Sequence, residues 1–446
     1  VTTKGPLTIK TLIVPFLVSV GLAAGFLREI FFAYFLGTSL EMDVLRVAIG
    51  VPGILSDGLA MSVVSILIPA TLATRNSGRD NVLRHIIWPV FFVATGVFAI
   101  GWVSMPLQAR IFAPGMPDIV RQDLVLAGRI CWIMFLFLLL SLPLRAILSV
   151  ENKLWPGASA QLVRSFGLMI VAIAIVAAQG RVTMQTLPIA AAVGGLSVLA
   201  SHLVALGRSG RRALWTAIAS GPQSPNLKAL VLALLAVFLT QGLLSSGRVI
   251  DRAVASNMAS GTLAALEYSY ALTMAAVAIM GTTANLILGP QIARAVNESG
   301  TIPRRIWRSI LWLSIFAGIC GLGLSFLAAP AVGVIFQYGA FDAQDVIRTA
   351  TILRWHGLSL GPLVLGLILT QVLLLTGLQK WVLLTASLKM AIKIAVLWWL
   401  LAAGFGMQGV AISLGVTETI LAGIMAGLLW RQHYSARKLA VQNALA

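Results

Sequence analysis

The chain has 446 residues, 59% of them hydrophobic and only 10% charged, with a formal net charge of +18. That composition excludes a soluble globular domain and describes a polytopic membrane protein. In a soluble chain the basic excess would point to nucleic acid, but cytoplasmic loops of membrane proteins carry the same excess, so its placement decides.

Apolar runs predict twelve spans, over 11–36, 44–70, 86–109, 124–150, 157–178, 183–206, 229–256, 263–289, 307–335, 349–376, 381–403 and 408–430. They are long and continuous, without the alternation of barrel strands, so an all-α polytopic bundle of twelve transmembrane helices is expected. The first run is too long for a signal-peptide core and is expected to remain in the mature protein. Cys131 and Cys320 fall in apolar runs and read as small buried side chains.

Basic residues cluster at the N-terminus, in alternate loops and after the last span, as with Arg75, Arg79 and Arg84, Arg208, Arg211 and Arg212, and Arg304, Arg305 and Arg308. The opposite loops hold only Arg110, Arg121, Arg181 and Arg348. By the positive-inside rule both termini are cytoplasmic, and the charge reflects topology; no nucleic-acid partner is expected.

The longest polar interruption, 207–228, divides the spans six and six, giving an N-lobe over 1–206, a cytoplasmic interlobe linker over 207–228 and a C-lobe over 229–446. The stretches "IFAPGMPDIVRQDLVLAGRI" from Ile111 and "IFQYGAFDAQDVIRTATILR" from Ile335 suggest an internal repeat. Two six-span lobes able to rock against each other form a transporter architecture.

Each charge within a span costs about 2.5–3.5 kcal/mol at the bilayer centre. Here they are Arg28, Glu29, Arg46, Asp57, Arg129 and Arg164 in the first half, and Arg248, Asp251, Arg252, Glu267, Arg354, Lys389, Lys393 and Glu418 in the second. Cations outnumber acids, so internal pairing leaves a surplus suited to an anionic ligand. Arg248, Asp251 and Arg252 share one helix face, so Asp251 is expected to hold one arginine and leave the other for the ligand. Guanidinium suits phosphate because its planar fork binds in bidentate fashion and stays charged when desolvated.

The stretches "GFLREIFFAYFLGTSLEMDVLRVAIGVPGILSDGLAMSVVSILIPA", "RVIDRAVASNMASGTLAALEYSYAL", "AILSVENKLW" and "FQYGAFDAQD" resemble the MurJ/MviN branch of the multidrug/oligosaccharidyl-lipid/polysaccharide (MOP) exporter superfamily. The resemblance implies two six-span lobes that carry a polyprenyl-pyrophosphate-linked saccharide from the inner to the outer leaflet of the bacterial inner membrane by alternating access. It implies substrate contacts from Arg28, Glu29 and Asp43, to which the in-span charges add Arg46, Arg248 and Arg252. Asp57, Asp251, Lys389, Lys393 and Glu418 are expected to serve gating or ion coupling, and Pro15, Gly21 and Gly25 to form a hinge in the first span.

The lipid II flippases of this branch carry a further first-span arginine where this chain reads "VGLAAG", an arginine pair where it reads "SDG", an eighth-span arginine where it reads "EYSYAL", and two extra C-terminal spans. These departures point to an exopolysaccharide repeat unit as the cargo, with lipid II as the alternative. A cation-coupled multidrug exporter would need an acidic cavity, and a membrane-embedded glycosyltransferase or polymerase would need acid/base or metal groups and larger outer loops. No enzyme activity, cofactor or metal site is expected. Some relatives are sodium-coupled, but Lys389 and Lys393 stand where sodium ligands would be sought, so sodium dependence is not. The partners expected are the lipid-linked saccharide and membrane lipids, with a monomer as the working unit.

Overall fold

The computed structural model describes residues 9–73, 79–222, 227–299, 302–376 and 378–445, and among these the secondary structure is entirely helical. Among the described residues nine helices are long and apolar enough to cross a membrane, and two bent pairs raise the number to as many as eleven. The chain is thus an integral, multi-pass membrane protein.

It divides into two compact units, Val1–Ser245 and Ser246–Ala446. The first unit begins with α1 (Ile9–Leu36), a single helix that contains Pro15. The expected span 44–70 is instead a series of pieces: α2 (Leu40–Ala48), α3 (Gly50–Ser62), a π-helical turn over Val63–Leu67, and α4 (Ile68–Ala73). Long helices follow in α5 (Arg79–Phe112), α6 (Asp118–Val150), α7 (Trp155–Gln179) and α8 (Thr186–Ala219). α1 packs on α7, α7 on α8, and α8 on α6 and α5.

Small residues set how closely these helices approach, since apolar side chains gain little by leaving lipid for a helix interface. A Cβ on Gly194 of α8 would lie 2.7 Å from the Arg164 carbonyl oxygen of α7, and one on Gly195 would lie 2.7 Å from that of Met134 on α6. These adjacent glycines let α8 approach two backbones at once.

α9 (Leu227–Ala255) carries the chain into the second unit; its segments Leu227–Thr240 and Ser245–Ala255 form one of the bent pairs. The second unit continues with α10 (Thr262–Ser299), α11 (Arg304–Phe326), α12 (Ala328–Phe336), α13 (Ala343–Leu358), α14 (Leu360–Leu375), α15 (Gln379–Ala402) and α16 (Gly406–Leu445). Asp342 caps α13, accepting hydrogen bonds from the Gln344 and Asp345 amides, and Asp345 completes a capping box. The expected span 349–376 is the second bent pair, α13 and α14 meeting at 48° across Ser359. Close packing recurs here, where a Cβ on Gly321 of α11 would sit 2.2 Å from the Gly357 carbonyl oxygen of α13. The apolar core gathers Leu288 and Ile292 of α10, Ile306 and Ile310 of α11, Ile368 and Val372 of α14, and Leu421 and Met425 of α16.

The polar stretch 207–228 is largely helical, because α8 resumes after a break at Gly207 (φ 74°, ψ 177°) and continues to Ala219.

Candidate functional site

In the first unit Arg28 and Arg46 converge on Glu29. Arg28 Nη2 donates to Glu29 Oε1 at 2.8 Å, and Arg46 Nη2 donates to the other carboxylate oxygen, Oε2. Arg28 and Glu29 come from α1, and Arg46 from the last turn of α2. The turn at Gly37–Ser39 brings α2 back, and Ser39 caps it by accepting from the Met42 amide at 3.3 Å. Phe32 lies beside both guanidiniums, its ring centroid 5.8 Å from Arg28 Cζ and 5.6 Å from Arg46 Cζ. One carboxylate and one aromatic face thus hold two guanidiniums together, and the three charges by themselves sum to +1.

Glu29 and Arg46 are buried, and Arg28 keeps 18% of its side chain exposed. Among the described residues Arg28 Nε is buried and has no hydrogen-bond partner. Asp43 is buried in the first turn of α2. Asp57 belongs to α3, but its side chain lies outside the described residues.

Among the hinge candidates, Pro15 lies on the exposed side of α1, whereas Gly21 and Gly25 face Gln161 of α7. Gln161 accepts in turn from Arg164 Nη2 at 2.7 Å.

The second unit holds its acids differently. Asp251 was expected to retain an arginine from its own helix face; instead Lys393 of α15 reaches it, with Nζ 2.8 Å from Asp251 Oδ1 and 2.6 Å from Ser413 Oγ of α16. Arg252 turns to α10, where its Nε donates to Glu267 Oε1 at 2.6 Å. Lys389 Nζ lies 2.5 Å from Glu418 Oε1. Arg248 Cζ sits 5.4 Å from the centroid of Tyr270. Both lysines of α15 therefore engage a carboxylate on another helix. Lys393 is among the largest fully buried side chains and is far too enclosed to extend toward an interface.

Sequence reasoning missed four participants. Phe32 was accessible to it, standing four residues after Arg28 on the same helix face. Glu267 was noted as an in-span charge without a role. Ser413 and Gln161 gave no signal, because hydroxyl and amide side chains inside apolar helices are common and their partners lie on other helices.

Comparison with known proteins agrees with this architecture. The family model described as lipid II flippase MurJ matches residues 32–446. A probable lipid II flippase MurJ of Rhizobium tropici is 25% identical over 358 residues, covering 76% of this chain and 66% of its own length. The chain thus spans just under two thirds of that relative. Among solved structures, a lipid II flippase MurJ in an inward closed conformation superimposes with a TM-score of 0.78 at 15% identity, covering 97% of this chain and 92% of its own. An inward-facing multidrug resistance MATE family transporter of the MOP superfamily gives a TM-score of 0.67 at 13% identity, covering 98% and 97% of the two chains. The family model and the relatives are described as lipid II flippases, so the expectation of an exopolysaccharide repeat unit finds no support in them. That expectation rested on arginines and two C-terminal spans absent from this sequence, while Arg46 reaches Glu29 from α2 beside Arg28. With the family model matching nearly its whole length, the chain belongs to the MurJ lipid II flippase family.

Proposed function

We propose that this chain is an alternating-access flippase that carries lipid II, an undecaprenyl-pyrophosphate-linked peptidoglycan precursor, from the cytoplasmic to the outer leaflet of the bacterial inner membrane. The carrying observation is the cluster on Glu29. Two guanidiniums on one carboxylate, with Arg28 still partly exposed, form a preorganised receptor for an anion bearing several oxygens. In this reading Arg28 and Arg46 engage the pyrophosphate and Glu29 sets their spacing, while Asp43 in the first unit and Arg248 and Arg252 in the second are further substrate-contact candidates, each within its own unit. The Rhizobium tropici relative's name supports lipid II as cargo.

The reading includes twelve spans with both termini cytoplasmic, counting the broken run Leu40–Ala73 as the twelfth beside the nine long helices and two bent pairs. Two six-span lobes, joined through 207–228, alternate access by bending in the first span at Pro15, Gly21 and Gly25. The working unit is a monomer in contact with membrane lipids.

Coupling is assigned to the membrane potential. Lys393 on Asp251 and Lys389 on Glu418 supply fixed ammonium charge at acids that would otherwise attract a metal cation, which supports independence from sodium. With Asp57, these groups form the gating set. A carrier with surplus cationic charge responds to the field when it returns empty, and each elementary charge crossing fully is worth about 2.3 kcal/mol per 100 mV.

The test is flipping of lipid II in proteoliposomes by wild type, Arg28→Ala and Arg46→Ala. Loss of flipping in both variants, with folded protein retained, is the expected result; wild-type rates in both would remove the cluster from the substrate path.

A further inference from the structure

The amphipathic end of α8 is not used by the transport reading. α8 is uncharged from Thr186 to Leu206, breaks at Gly207, and resumes with Arg208, Arg211 and Arg212. At 1.5 Å per residue the 186–206 segment is about 30 Å long, enough to span the hydrocarbon core, so the break falls where the helix leaves it. The 12-residue segment 208–219 therefore begins at the headgroup level.

Its faces are sorted. Gly210, Ala213 and Ala217 are buried, and Trp88 Nε1 of α5 donates to the Ala217 carbonyl at 3.4 Å, so the small-residue face is docked on the protein. Arg211 Nη1 donates to the Leu203 carbonyl at 3.2 Å, capping the end of the spanning segment and bracing the bend. The outward face carries Arg208, Arg212 and Trp215, the last 70% exposed, with Ile218 beside them at 40%. At 100° per residue Trp215 points away from the buried face, about 20° from Arg208 and about 60° from Arg212, with Ile218 about 60° to its other side and Arg211 between Ile218 and Trp215. The segment from 208 to 222 contains no acid to neutralise them.

We propose that the 208–219 segment is an anionic-phospholipid binding surface, with Arg208 and Arg212 on headgroup phosphates and Trp215 and Ile218 sunk into the acyl boundary. Tryptophan is the residue best suited to that boundary, and arginine to a phosphate plane just above it. Phe91 and Phe92 of α5, each partly exposed and clustered on Trp88, extend the apolar side of the same surface. The proposal stands apart from the transported lipid, because none of these residues belongs to the Glu29 cluster.

Native mass spectrometry of the full chain, titrated with phosphatidylglycerol or phosphatidylcholine, tests it. Each basic residue near an anionic surface contributes a factor of about five in association, so Arg208→Gln with Arg212→Gln should weaken the first phosphatidylglycerol site roughly 25-fold. Phosphatidylcholine adducts should be unchanged. The double lysine variant, which keeps the charge, should retain most of the preference. Equal binding of the two lipids by wild type, or an unaltered phosphatidylglycerol site in the glutamine variant, would overturn the proposal. Circular dichroism of the variants separates loss of binding from loss of folding.

Discussion

Lys393 and Asp251 form a buried ion pair between α15 and α9, with Nζ 2.8 Å from Oδ1 and Ser413 as the ammonium's second partner. A pair this enclosed contributes little net stability, because desolvation offsets most of its attraction, but removing one member leaves an uncompensated charge.

Lys393→Met should therefore destabilise the protein by about 3–5 kcal/mol, whereas Lys393→Met combined with Asp251→Asn should recover most of that loss. Unfolding in detergent, run as a double-mutant cycle, measures the coupling. Additive effects would mean the two charges do not depend on each other.

The same pair marks the limit of what was legible in the sequence. Hydropathy located the long helices, and the cost of burying charge singled out Arg28, Glu29, Arg46, Asp251, Lys389, Lys393 and Glu418 before any contact was known. Pairing was another matter. Helical spacing places Arg248, Asp251 and Arg252 on one face, but which helix packs there, and at what depth, depends on tertiary register that no single helix encodes. So Asp251 took Lys393 from 142 positions along the chain, and Arg252 took Glu267. The break at Val63–Leu67 was hidden inside an apolar run, whereas the one at Ser359 is flanked by Gly357, Gly361 and Pro362, a breaker signal that hydropathy alone does not read.

Close helix packing gives a second prediction. Gly321→Ala would press a methyl group onto the Gly357 backbone carbonyl at 2.2 Å, which cannot yield without separating α11 from α13. Gly25→Ala meets only the amide end of Gln161 at 2.7 Å, which can rotate away. Gly321→Ala should reach or exceed the upper end of the usual overpacking cost of about 1–3 kcal/mol, and Gly25→Ala should fall near the lower end. Comparable unfolding midpoints for the two would contradict this packing.

In transport, Gly21→Ala with Gly25→Ala should bias the carrier toward one access state, because stiffening the first span and displacing Gln161 both oppose its bending. Cysteine accessibility from the two sides of the membrane reads the bias. Unchanged accessibility would remove these glycines from the hinge.

Sodium independence can be checked with the potential imposed separately. In proteoliposomes under a potassium-valinomycin gradient, flipping should rise with an inside-negative potential and be the same with or without sodium. Flipping that requires sodium, or ignores the potential, would reject the coupling scheme while leaving the substrate site untouched.

The Glu29 cluster is tested most directly by lipid II flipping across the series wild type, Glu29→Gln, Arg28→Lys and Arg28→Ala. Glutamine keeps the shape but removes the charge that holds Arg28 and Arg46 together, and lysine keeps the charge of Arg28 but loses its fork. The account predicts partial flipping for Arg28→Lys, strong loss for Glu29→Gln, and none above background for Arg28→Ala. Wild-type flipping by Arg28→Ala in folded protein would contradict it.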